Sequence, residues 1–325
     1  MADFQEGSSP TISNFGTAIS GQTNAFFLPE VYSKKVQNFF RKASVVEAIT
    51  NTDYAGEINA FGDTVNIIKE PTITTYDYTR GSDTTQTLLT DEELTLVVDQ
   101  ARAFKFIVDD IEKRMSHVNF TEVASGSAAY ALKDQMDSNV LTYMSAQASA
   151  SSPDMIIGAD DATADDLPNL GANESVHLGF GADNSDPIDL LARMARLLDD
   201  QNVPEENRWF VANPTFYEVL SESSSKLLSV DYNAGQGSIR NGLVSSGALR
   251  GFKMYKSNNM PAGSNSSIAL AGHISAVATA GTMLNVETLR DPTSFGDIVR
   301  GLHVYGRKLL RDDALVKAFW NTTTD

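Results

Sequence analysis

Along the first thirty residues no apolar period holds. Gly, Ser, Thr and Asn dominate, and Phe4, Phe15, Phe26 and Phe27 are spaced through them. Disordered tails are usually poor in aromatics, so two readings stand: a floppy terminus, or an extended arm whose rings dock elsewhere. From Val31 to Thr50 apolar residues return at helical spacing (Val36, Phe39, Phe40, Ala43, Val46, Ile49), which predicts one or two short amphipathic helices. The pattern then turns to strand. Between Thr64 and Thr95 ten threonines alternate with Val65, Ile67, Ile68, Ile73, Tyr76, Tyr78 and Leu94, and Gly81-Ser82-Asp83 is a turn signal half-way. This predicts a long two-stranded ribbon, which is marginal alone because neither face is covered. It must lean on its own chain, as an ordinary sheet edge, or on a neighbour.

Phe104, Phe106 and Val108 close the strand region, and helical spacing resumes at Ile111, Met115 and Val118. Asn119 and Glu122 have capping-box spacing, and Phe120, Ala124, Ala128, Leu132, Met136, Val140 and Met144 form an unbroken i, i+4 row. A helix over 120–148 would be ~43 Å long, a rod few compact domains of this size need. From Asp186 the pattern becomes compact α/β: a helix capped by Asp186 with Pro187 in its first turn, a buried strand Trp209–Ala212, and a helix starting at Asn213-Pro214. Strands are expected at 251–255, 268–271, 285–290, 298–305 and 314–320.

Charge narrows the function. Twenty-five Lys and Arg against 42 Asp and Glu give −17 in a chain of 325 residues, a surface that repels phosphate, so sequence-specific nucleic-acid binding is not expected. Cysteine is absent, which excludes disulfides, thiolate catalysis and zinc–cysteine sites. The first basic residue is Lys34, so no secretory signal is expected. Residues 257–286 lack Asp, Glu, Lys and Arg, yet Pro261, Gly263, Gly272 and Gly281 interrupt them; buried strands and loops are expected rather than a membrane span. The acidic stretch 151–192 has no Lys or Arg, but it also lacks the spacing of a calcium loop, and no metal is expected.

Catalytic constellations are not visible. His117, His177, His273 and His303 are too far apart for a His-Glu-x-x-His helix, and there is no Gly-x-Ser-x-Gly elbow or Walker sequence. Gly235-Gln236-Gly237 lacks the rest of a dinucleotide fingerprint, and Ser223-Ser224-Ser225-Lys226 stands without partner motifs. His303, between Leu302 and Val304, reads as structural. No catalytic residue or cofactor is assigned.

The order of parts resembles the major capsid protein of tailed bacteriophages, an α+β chain of the Hong Kong 97-type capsid fold. The likeness is carried by Phe27-Leu28-Pro29-Glu30-Val31-Tyr32-Ser33 leaving the arm, 109–111 through 139–141 along the rod, Arg208-Trp209-Phe210-Val211-Ala212-Asn213-Pro214, and Gly301-Leu302-His303-Val304-Tyr305-Gly306 in the closing strands. It implies an amino-terminal arm (1–50), an extended β-hairpin (51–108), a peripheral lobe with a spine helix (109–185), an axial lobe (186–280) and return strands of the peripheral lobe (281–325). It also implies hexamers and pentamers of an icosahedral shell around a double-stranded DNA genome, assembled in the host cytoplasm. Separate scaffolding and portal proteins are implied, a cement protein is allowed for, and a Lys–Asn cross-link is not predicted. Candidate subunit-interface residues are Phe15, Phe26 and Phe27 on the arm, with Tyr76, Tyr78, Arg80, Leu88 and Leu89 on the hairpin. An encapsulin-like nanocompartment is the alternative, and a soluble acidic hydrolase the third reading.

Overall fold

The computed structural model describes residues 42, 44–57, 62–69, 73, 75–77, 80–81, 92–110, 120–151, 155–159, 175–179, 184–222 and 249–322. Eleven strands and four α-helices lie in these residues, arranged as three sheets.

The ribbon is present. β1 (Thr64–Lys69) and β2 (Glu92–Val97) pair antiparallel from Thr64↔Val97 to Lys69↔Glu92. The midpoint of that register lies between Arg80 and Gly81, and these two residues form a turn with Gly81 at φ +90°. Glycine suits that left-handed conformation. Gly81 is the first residue of the Gly81-Ser82-Asp83 turn expected from composition, and Ser82 and Asp83 lie outside the described residues. The ribbon is also shorter at its base than 51–108: β3 (Gln100–Asp109) leaves it and pairs with another sheet.

That second sheet has three strands, with β10 (Gly296–Leu309) between β3 and β9 (Val277–Arg290). Its strands come from β-rich runs far apart in the chain. On one face of β10 the Arg307 guanidinium lies 4.9 Å over the ring of Tyr143. The even residues Val304 and Gly306 meet the ribbon base.

The third sheet is built on β6 (Arg208–Ala212), all five residues of which are buried. A fully buried run of this kind needs cover on both faces. Trp209 and Val211 pack on one face and Phe210 and Ala212 on the other. β7 (Lys253–Lys256) pairs parallel to β6 on one side, β8 (Ser267–His273) antiparallel on the other, and β11 (Leu315–Thr322) follows β8. β4 (Ile156–Ile157) and β5 (Val176–Leu178) both run parallel to β11. The cuts at 186 and 280 thus do not follow the sheets. Residues 315–322, expected with the return strands, join this sheet, and so do 156–157 and 176–178. Their alternation of apolar residues is the same in either sheet, so only long-range pairing tells them apart.

Four helices cover these sheets. Of the expected helical region 31–50, residues 42 and 44–50 are described, and within them α1 spans Val46–Ile49. α2 (Phe120–Ser151) is the rod, three residues longer than expected and ~48 Å in length. Its carboxyl-terminal half has one buried side (Val140, Leu141, Met144 and Ala148), whereas Val123 near its start is exposed. α3 (Pro187–Asp200) is capped by the Asp186 carboxylate, which accepts from Ile188 N–H at 3.1 Å, and α4 (Pro214–Leu220) by Asn213, which accepts from Phe216 N–H at 3.1 Å. The charge-free stretch 257–286 supplies β8 and part of β9, with Ala269, Leu270 and Ala271 fully buried. No described helix is long and apolar enough to cross a membrane.

Candidate subunit interface

The ribbon changes character along its length. At its base, Val65, Leu96 and Val98 are buried against Ala278, Ala280 and Val304 of the same chain. Gly306 permits this close seat: a Cβ there would lie 2.5 Å from the Val97 carbonyl oxygen. Farther out the support ends. Ile73 is 67% exposed and Tyr76 53%, while Ile68, on the face opposite Val65 and Leu96, is 84% exposed. One molecule therefore anchors the ribbon at its base but leaves these outer residues uncovered.

The face of the three-stranded sheet that receives the ribbon base continues beyond it. There Ile107 and Leu289 are exposed, and a shallow groove of about 440 Å³ is lined by Lys105, Glu287, Arg300 and Leu302. On the opposite face of the sheet, the Phe104 ring lies so close over Gly301 that a Cβ on the glycine would meet it at 2.4 Å. Arg300 Nη2 donates to Glu287 Oε2 at 2.6 Å across the groove. At the far end, Arg290 donates to Asp297 at 3.2 Å and through both terminal nitrogens to Asp110, once at 2.9 Å; these bonds, Asp110 first, raise its pKa above the ordinary value. The β9–β10 turn is pinned by Asp291. The Ser294 hydroxyl (2.6 Å), the Thr293 N–H (2.9 Å) and the Thr293 hydroxyl (2.7 Å) donate to its carboxylate and hold its pKa down at about 2. The turn ends in Phe295, 79% exposed.

Little here could do chemistry. Among the described residues no three His, Asp or Glu side chains are grouped to hold a metal. His303 stacks on Tyr305 with ring centroids 5.5 Å apart, and burial lowers its pKa. Both features fit the structural role expected of it.

The family model for phage capsid protein matches residues 91–318. The chain belongs to the phage capsid protein family. Three solved structures extend the likeness to nearly the whole chain. A chain of Mycobacterium phage Che8 is 26% identical, covers 90% of this chain and 97% of its own, and superposes with a TM-score of 0.70. The capsid of the cyanophage P-SCSP1u is 21% identical over 97% of this chain and 100% of its own, with a TM-score of 0.71. The mature capsid of bacteriophage PhiM1 is 16% identical over 98% and 100%, at 0.61. No match was found among curated proteins. This member of the phage capsid family has the α+β, Hong Kong 97-type fold and is a structural major capsid protein, a subunit of the virion shell.

Of the interface candidates drawn from sequence, Tyr76 is half-exposed on the ribbon and Arg80 is exposed in its turn. Phe15, Phe26, Phe27, Tyr78, Leu88 and Leu89 lie outside the described residues, as does most of the acidic stretch 151–192. Sequence reading missed Ile107, Leu289 and Phe295. Ile107 was findable in principle, since it sits out of phase with Phe104, Phe106 and Val108 in an alternating strand.

Proposed function

We propose that this capsid subunit forms the hexamers and pentamers of an icosahedral shell around a double-stranded DNA genome, without enzymatic activity. The contacts between copies are made by the outer ribbon and the open face of the three-stranded sheet. The carrying observation is the contrast along the ribbon: at its base Val65 and Leu96 are buried on their own body, and farther out Ile73 is 67% and Tyr76 53% exposed. Scattered surface apolar residues are ordinary, but an apolar projection with a rigid root supports a docking element. The net charge of −17 supports the same reading, because a shell wall must not bind the polymer it encloses. Scaffolding and portal proteins would join assembly in the host cytoplasm, and a cement protein is allowed for. The candidate residues Phe15, Phe26 and Phe27 belong to an arm reaching neighbours, and Tyr76, Tyr78, Arg80, Leu88 and Leu89 to the ribbon contact. The lobes are proposed as two bodies, one around β6 and one around β10 with α2.

The test trims the ribbon without breaking its register. Replacing residues 70–91 with Asn-Gly leaves Lys69 opposite Glu92, joined by a favoured two-residue turn. The expected product is a folded subunit that forms no closed shells by electron microscopy. Normal shells from the trimmed chain would remove the ribbon from the interface.

A further inference from the structure

Asp137 lies on α2 and is the only carboxylate among the fully buried described residues, at 0% exposure. An ionised carboxylate is strongly disfavoured away from water unless donors replace that water. Here they come from two segments distant in sequence. Oδ1 accepts from Val45 N–H (2.8 Å), Val46 N–H (3.0 Å) and the Ser44 hydroxyl (3.1 Å), and Oδ2 from the Asn259 amide (3.1 Å) and the Ser257 hydroxyl (3.5 Å). No lysine or arginine among the described residues pairs with it. The same Asn259 also donates to Asp134 at 2.7 Å and accepts from Lys42 Nζ at 2.9 Å, and Lys42 N–H donates to the Tyr130 hydroxyl at 2.8 Å. The segment that follows residues 1–41 is thereby tied to the spine helix and to the loop after β7 at once.

Apolar packing also holds this segment, since Val45, Val46 and Ile49 are buried with Val140, Leu141 and Met144. Packing of that kind tolerates small slides, whereas hydrogen bonds to a buried charge do not. We infer that Asp137 fixes where and in what direction the amino-terminal segment leaves the body, and so acts as a positioning residue for shell assembly. The assembly half of this rests on the arm reaching neighbouring copies.

The experiment uses the full chain carrying Asp137→Ala, Asp137→Asn or Ser44→Ala, with Ile49→Val as a packing control. Amide hydrogen exchange is measured over residues 44–50 and over β6 and β8, and particles are imaged by electron microscopy. Asp137→Ala is expected to speed exchange at 44–50 on the order of 100-fold, with β6 and β8 unchanged and particles malformed. Asp137→Asn falls between, because its amide NH₂ meets that of Asn259. Ile49→Val leaves particle shape normal. Should Asp137→Ala unfold the whole chain, Asp137→Asn and Ser44→Ala carry the same reading locally. Unchanged exchange at 44–50 in all three variants overturns the inference. Loosened exchange with normal particles overturns its assembly half. Deleting residues 1–41 separates the two readings: normal shells from that deletion sink the arm, while the exchange result still judges Asp137.

Discussion

Single residues show how chain chemistry becomes local shape. Asn213 and Asp186 were legible before any coordinates, because a cap is a bond between a side chain and an amide two or three residues away. Asn213→Ala should lower unfolding stability by ~1 kcal/mol in denaturant titration, leaving Phe216 N–H unsatisfied. Gly306 and Asp137 were not legible. The atoms that define them, the Val97 carbonyl and the Val45 and Val46 amides, lie far off in sequence. Gly306→Ala should cost ~1–3 kcal/mol, since the obstacle is backbone and cannot rotate away. Faster hydrogen exchange in β1 and β2 would show that the loss falls at the ribbon root; exchange unchanged there would show that the seat accommodates a methyl group.

Among elements, the spine helix and the ribbon were readable from periodicity because each keeps one pattern over many residues. Partnership of strands was not. Val98 and Asp99 separate two runs of the same β-forming composition, yet β2 pairs with β1 and β3 with β10. Strand propensity names a conformation and leaves the neighbour open. The buried base distinguishes the ribbon from an independent hairpin, and Leu96 is its anchor. Leu96→Ala should cost ~2–5 kcal/mol by calorimetry. Loss of protection should be greatest in β1 and β2, while β6 and β8 keep theirs.

For the whole molecule, the balance of buried imidazole and exposed carboxylate sets an acid limit. Burial lowers the pKa of His303, and of His273, below 6.5. The unfolded chain therefore takes up protons before the folded one does, and the associated stability is complete above about pH 6.5 and drains as pH falls below it. Asp291 acts lower. Its folded pKa of about 2 against an ordinary 3.8 means that its turn keeps its support until the pH approaches 4 and loses it toward 2. Urea midpoints should thus decline in two ranges, and His303→Phe should flatten the first. A midpoint as steep in that variant as in the parent would remove His303 from the acid response. The ribbon's register carries a constraint on variation. Because its turn falls at the centre of symmetry of the pairing, lengthening one strand alone by a single residue would present the threonines where the aliphatic side chains had been. Longer relatives of this finger are expected to have grown in both strands together, two residues to each at a time.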